Sequence, residues 1–189
     1  MSFENPLSLQ GRLLIASPAI GDPRFERTVI YMCAHSHEGG AMGIVVNKTV
    51  DGMDFRELFE QLEISEISID RLPIQYGGPV EETRGFVLHS AEYKPNEAST
   101  VSGDISLSAS VDILKAIAAG NGPKNHIFAL GYSGWAPGQL EDEIKQNGWL
   151  VVDADPELVF GPELEEKWDQ ALAKIGIDLG KLSSQSGSA

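Results

Sequence analysis

The chain has one cysteine and little positive charge. A single cysteine among 189 residues excludes an internal disulfide, so a reducing cytoplasm is the expected compartment. Fourteen Lys and Arg stand against 28 Asp and Glu, a net charge of −14. Such a surface repels phosphate backbones, and no run of Lys and Arg forms a local basic patch, so direct nucleic-acid binding is not expected. Long hydrophobic runs are also missing. The first apolar stretch, Leu13 to Ala16, is too short for a membrane span or a signal core, and Met1-Ser-Phe-Glu-Asn-Pro6 carries an acid without a basic n-region. No membrane partner is therefore expected. The chain contains no Gly-x-Gly-x-x-Gly, Walker A loop or Gly-x-Ser-x-Gly elbow, and no cofactor signature.

What the chain does have is enough apolar residue, 42%, to fill one core. Residues 1–182 are expected to form one domain, and the Ser- and Gly-rich 183–189 a flexible tail. Strands are predicted over Arg12 to Ser17, Thr28 to His35, Ala41 to Asn47, Leu72 to Tyr76, Gly85 to His89, His126 to Tyr132 and Trp149 to Val152. The second and third, joined by Ser36 to Gly40, read as a hairpin. Helices are predicted from Asp54 to Leu62 with an Asp cap, from Ser110 to a stop at Gly120, and after Pro137 as N1. A last amphipathic helix runs from Pro162 through Leu164, Trp168, Leu172 and Ile175. Glu92 to Gly103 reads as a loop. The class is α+β: a largely antiparallel sheet or barrel-like core packed by about four to five helices.

Three groups of residues carry possible chemistry. Val29, Tyr31, Cys33 and His35 alternate along a strand and are expected to share a face. A thiol beside an imidazolium becomes a reactive thiolate, so Cys33 and His35 are the catalytic or redox candidates, against a buried structural cysteine. Arg84 and His89 flank a turn-and-strand segment and are candidates for anion binding and acid/base work, against a turn rim and a satisfied core histidine. Gly131, Tyr132, Gly134 and Trp135 read as a strand-to-helix turn whose aromatics line a ligand groove or a partner surface, against a sharp turn plugged by Trp135. His35, His37, His89 and His126 lack a third ligand at a familiar spacing, so no metal site is expected. Glu141, Asp142 and Glu143 read as a solvated helix face favouring the dipole.

Segments along nearly the whole chain resemble the bacterial YqgE/AlgH family. The resemblance lies in Leu9-Gln-Gly11-Arg-Leu-Leu-Ile-Ala16, Asp22-Pro-Arg-Phe-Glu-Arg-Thr28, Cys33-Ala-His35 and Gly43-Ile-Val-Val-Asn47. It continues in Gly77-Gly-Pro-Val-Glu81, Arg84-Gly-Phe-Val-Leu-His-Ser90, Ser110-Val-Asp-Ile-Leu114 and Gly131-Tyr-Ser-Gly-Trp135. The tail Ser186-Gly-Ser-Ala189 departs from the Ala-Gly-His-Ala-like end of the family. The resemblance implies a single-domain cytosolic bacterial protein, with a name linked to transcriptional control of exopolysaccharide synthesis by an indirect route. The absence of catalytic motifs favours a non-enzymatic regulatory or interaction protein with a protein partner, as a monomer or weak homo-oligomer. That reading requires an exposed aromatic patch near Tyr132 and Trp135. The alternative is a small-molecule binder or an enzyme built on Cys33 near His35, which requires a cleft beside those groups.

Overall fold

Nine strands form one curled sheet, a half-barrel packed by five helices, in the computed structural model, which describes residues 8–95 and 97–177. Both the expected tail at 183–189 and the boundary at 182 lie outside the described residues. The strands are β1 (Arg12–Ala16), β2 (Val29–Ser36), β3 (Gly40–Val45), β4 (Ile74–Tyr76), β5 (Val80–Ser90), β6 (Ser99–Thr100), β7 (Ile105–Ser108), β8 (His126–Trp135) and β9 (Trp149–Asp153). Their spatial order is β6-β7-β5-β8-β3-β2-β1-β9. All neighbours in that order are antiparallel; β4 joins β8 as the one parallel pair among the described strands. The α+β class expected from the sequence is the class found.

β8 is the strand that unites the sheet. Its first half pairs with β5 and β4, and its last residues, Ser133 to Trp135, pair with β3. Between the two halves Gly131 takes φ +76°, which an L side chain tolerates poorly. The Gly77-Gly78 segment crosses β8 at this point. The Gly77 N–H donates to the Leu130 carbonyl at 2.8 Å, and the Gly77 carbonyl accepts from Val45 N–H at 2.9 Å. The expected strand-to-helix turn at 131–135 is therefore a continuing strand, which ends three residues past Tyr132, at Trp135. Gly131 serves the backbone crossing rather than a chain reversal.

The helices are α1 (Phe55–Gln61), α2 (Val111–Ala118), α3 (Gln139–Lys145), α4 (Pro156–Phe160) and α5 (Lys167–Lys174). The Asp54 carboxylate caps α1 through Arg56 N–H, whereas Ser110 precedes α2 without a side-chain cap bond. Pro137 does not open α3; Gly138, at φ +79°, is the residue before its first turn. A short 3₁₀ turn at Leu164–Glu166 leads into α5, and α4, β6 and β7 are elements that the sequence pattern did not reveal. One face of the sheet, with Leu13, Ile15, Tyr31 and Ile44, packs against Trp168 and Leu172 of α5. The opposite face, with Leu14, Ile30, Met32 and Val45, packs against Trp135, Leu140 and Trp149 under α3. Among the described residues no helix is long and apolar enough to cross a membrane.

Candidate functional site

Cys33 and His35 do not share a face. Cross-strand partners of β2 run Tyr31 to Ile44 and Met32 to Gly43, then resume with Ala34 to Met42 and His35 to Ala41. Cys33 is thus the extra residue of a β-bulge, which reverses the alternation beyond it. It stays with Tyr31 and Ile44 in the apolar core, while His35 emerges on the opposite face with Ala41 and Trp135. Cys33 is 7% exposed, and burial pushes its thiol up to about 12. Its Sγ contacts the Tyr31 carbonyl at 3.7 Å. The thiolate–imidazolium pair envisaged from the sequence is therefore not formed. A thiol reagent at pH 8 is expected to leave Cys33 unlabelled in the native protein and to label it fully in denaturant. Rapid labelling of the native state, timed against the unfolding rate, would reverse this assignment.

His35 instead sits in a different constellation. Leu9 N–H donates to His35 Nδ1 at 3.0 Å, so that nitrogen carries no proton. Nε2–H donates to Glu141 Oε1 at 2.7 Å. Both ring nitrogens are occupied, and the imidazole is a neutral link between the segment before β1 and helix α3. The hydrogen bond from His35 holds the Glu141 carboxyl below its usual range. Ser8 Oγ lies nearby but donates to the His35 carbonyl at 3.4 Å, not to the ring. Among the described residues no hydroxyl or thiol bonds to this ring.

The link lines a cleft of about 660 Å³. Leu9, Ile144 and Val151 give it apolar walls, and Arg12, His37 and Lys145 also line it. Helical spacing explains the division of labour in α3. Glu141, Ile144 and Lys145 follow one stripe and face the cleft, whereas Leu140 and Glu143 follow the next and face the sheet. Glu143 is not a solvated acid. Its Oε2 accepts the indole N–H of Trp135 and that of Trp149, each at 2.8 Å. The two indoles meet edge to face with centroids 5.9 Å apart. Gln139 Nε2 donates to the other oxygen of Glu143 at 3.1 Å. The helix that walls the cleft is thus bolted to the sheet before any ligand arrives.

The remaining candidates are dispersed. Arg84 is exposed, 3.4 Å from Glu81, with its guanidinium 5.0 Å from the Phe86 ring centroid. His89 is fully buried on the same strand: Nδ1–H donates to Ser90 O at 3.1 Å, and Nε2 accepts from Ser108 Oγ at 2.9 Å. Burial holds its pKa below the ordinary value, which keeps it neutral. Arg84 and His89 stand five residues apart on β5 and do not converge. Tyr132 is half-buried, edge-on to Phe86 at 5.8 Å, and Trp135 is buried. Gly131 is buried in the crossing and Gly134 is an exposed strand residue. The exposed large apolar residues among those described are Met53, Val111 and Ile175, none of them near the Tyr132–Trp135 segment in sequence. No group of three or more His, Cys, Asp or Glu among the described residues is arranged to hold a metal ion.

One unusual group escaped the sequence reading. Lys167, at the start of α5, is 1% exposed. Its ammonium donates to the carbonyls of Val46 at 2.9 Å and Val159 at 2.6 Å. Burial pushes its pKa down to about 8. The signal was present: Leu164, Lys167, Trp168, Ala171 and Leu172 recur at helical spacing, which puts Lys167 on the apolar stripe.

A family model described as AlgH-like matches residues 13–180. A UPF0301 protein of Bradyrhizobium diazoefficiens is 54% identical over 190 residues, spanning 96% of this chain and 88% of the relative. Another from Ruegeria pomeroyi is 51% identical over 186 residues, spanning 97% and 100%. The solution structure of the AlgH protein from Pseudomonas aeruginosa superposes with a TM-score of 0.79 at 39% identity, covering 100% of both chains. A crystal structure from Corynebacterium diphtheriae, 20% identical over 89% of this chain and 88% of the other with a TM-score of 0.68, shares the fold.

Proposed function

We propose that this chain, which belongs to the AlgH-like family, is a non-enzymatic cytoplasmic protein that binds a small molecule in the His35–Glu141 cleft. The single observation that carries the reading is the cleft itself. Its volume of about 660 Å³ falls within the usual size of small-molecule sites, and a few polar groups interrupt apolar walls. Its framework is preformed. The Glu143 bonds to Trp135 and Trp149 fix α3, and the His35 link fixes the segment entering β1. A ligand entering such a site pays little to order it.

Binding rather than catalysis is favoured by the state of the reactive side chains. Cys33 is sealed, His89 is buried between Ser108 and Ser90, and both nitrogens of His35 are engaged. The cytoplasmic assignment rests on the lone cysteine, which suits a reducing compartment. A regulatory role, the use to which such binding would be put, is consistent with a protein that changes no bond in its ligand.

The test uses a neutral apolar dye, Nile red. Saturable binding with one site per chain is expected, weakened about tenfold or more by Ile144→Glu, which sets a carboxylate in the apolar wall. A thermal melt of the variant verifies that it is folded. Saturable binding that Ile144→Glu leaves unchanged would place the dye elsewhere and contradict the proposal.

A further inference from the structure

The charge of the cleft runs against that of the chain. Two basic side chains, Arg12 and Lys145, line it, against the one carboxylate of Glu141 among the described residues. The chain as a whole carries −14. That carboxylate has its Oε1 committed to His35 Nε2–H at 2.7 Å. Arg12 is in the opposite condition. Its terminal nitrogen meets Asp153 at 2.9 Å, but the Asp153 side chain is 83% exposed, and ion pairs so wet hold their partners weakly. Its Nε–H is buried and has no acceptor among the described residues. A buried donor left unpaired is costly and is normally matched by a partner. The Arg12 side chain is nonetheless 35% exposed and lines the cleft beside its apolar walls, so its guanidinium suits a ligand that brings an anionic oxygen on an apolar body.

Resting on the reading of the cleft as a ligand site, we propose that its ligand is an amphipathic organic anion: an aliphatic or aromatic monocarboxylate whose apolar body lies against Leu9, Ile144 and Val151. The carboxylate engages Arg12, with Lys145 adding a second positive charge. His35 takes no part in recognising the acid group, because its two nitrogens are already used. It keeps Glu141 occupied, so that the like charge is partly satisfied when the anion binds.

The experiment is displacement of Nile red by decanoate, decanol and decyltrimethylammonium at pH 8, below their micellar concentrations. All three have the same tail and differ in head-group charge. Decanoate is expected to bind at least about tenfold more tightly than decanol, with the cation weakest. Arg12→Gln is expected to remove most of that gap while leaving decanol unchanged. Lys145→Gln, at an exposed helix position, is expected to narrow it and serves if the Arg12 variant fails to fold. Rising salt is expected to narrow the gap as well. Equal binding of decanoate and decanol, or tighter binding of the cation, would overturn the anionic ligand while leaving the cleft as a binding site. Dye that none of the three displaces would overturn both.

Discussion

Replacing Gly131 with alanine is expected to cost about 4 kcal/mol or more, enough to threaten a domain of ordinary stability. Two penalties combine. The residue holds φ +76°, where a β-carbon is strained, and an added Cβ would overlap the Gly78 carbonyl oxygen and come within 3.1 Å of the Val80 oxygen. These are backbone atoms pinned by the Gly77 bonds to Leu130 and Val45, so they cannot step aside. Gly52 supplies the control. It has φ +74° but nothing within 4 Å of an added Cβ, so Gly52→Ala is expected to cost about 1–2 kcal/mol. Urea unfolding of the two variants compares them directly. Similar midpoints would show that the crossing of β8 relaxes freely.

Lys167→Ala is expected to cost about 3–5 kcal/mol, because it leaves a cavity under α5 and two buried carbonyls without donors. The lysine also gives wild-type stability a particular pH dependence. With its pKa near 8 in the fold and 10.5 when exposed, the unfolded chain binds the proton more readily in the interval between them. Stability from this group therefore rises with pH across that window, by up to about 3 kcal/mol. Cys33 works in the other direction. Its thiol is raised from 9 to about 12, so above pH 9 the unfolded chain sheds a proton that the fold retains, and stability falls. Tyr31, raised from 10 to about 12 chiefly by burial, adds to that fall above pH 10. The wild type is expected to gain about 1 kcal/mol from pH 8 to 9 and then level off. In Cys33→Ala the rise is expected to continue toward pH 10. Denaturant midpoints collected across pH 7 to 10 test both statements. A flat profile in Cys33→Ala would mean that the buried ammonium is not held near pH 8.

These two positions also show what could and could not be read from the residues. Helices α1 and α2 were legible because their apolar residues recur at 3–4 spacing behind Asp54 and Ser110. The β2–β3 hairpin was legible from β-branched runs around a polar turn, and it closes more tightly than expected, over residues 37–39. The segment 131–135 was misread because glycine signals a special backbone without saying which one. Here Gly131 lets the Gly77-Gly78 link between β4 and β5 cross β8, and only the close approach of Gly78 and the Gly77 bonds to Leu130 and Val45 reveal this.

The candidate site was half legible. Alternation put Tyr31 and Cys33 correctly on one face, but it fails across a bulge, which moves His35 to the other. The partner of His35 was hidden for a second reason. Glu141 and Glu143 lie in the acidic run Glu141-Asp-Glu143 near the start of α3, a pattern that normally faces water. Tertiary packing gives them different tasks, one on His35 and one between two tryptophans. Trp135 and Trp149, flanking that acidic helix, were the only hint that a buried acceptor was needed for their N–H groups.

The cleft is most directly tested by following backbone amide shifts as decanoate is added to isotope-labelled protein. Saturable shifts are expected at Leu9, at His35 to His37, from Glu141 to Lys145 and at Val151, with the amides around Lys167 and Cys33 unmoved. Shifts absent from these positions, or concentrated near Lys167, would contradict the assignment of the His35–Glu141 cleft as the binding site.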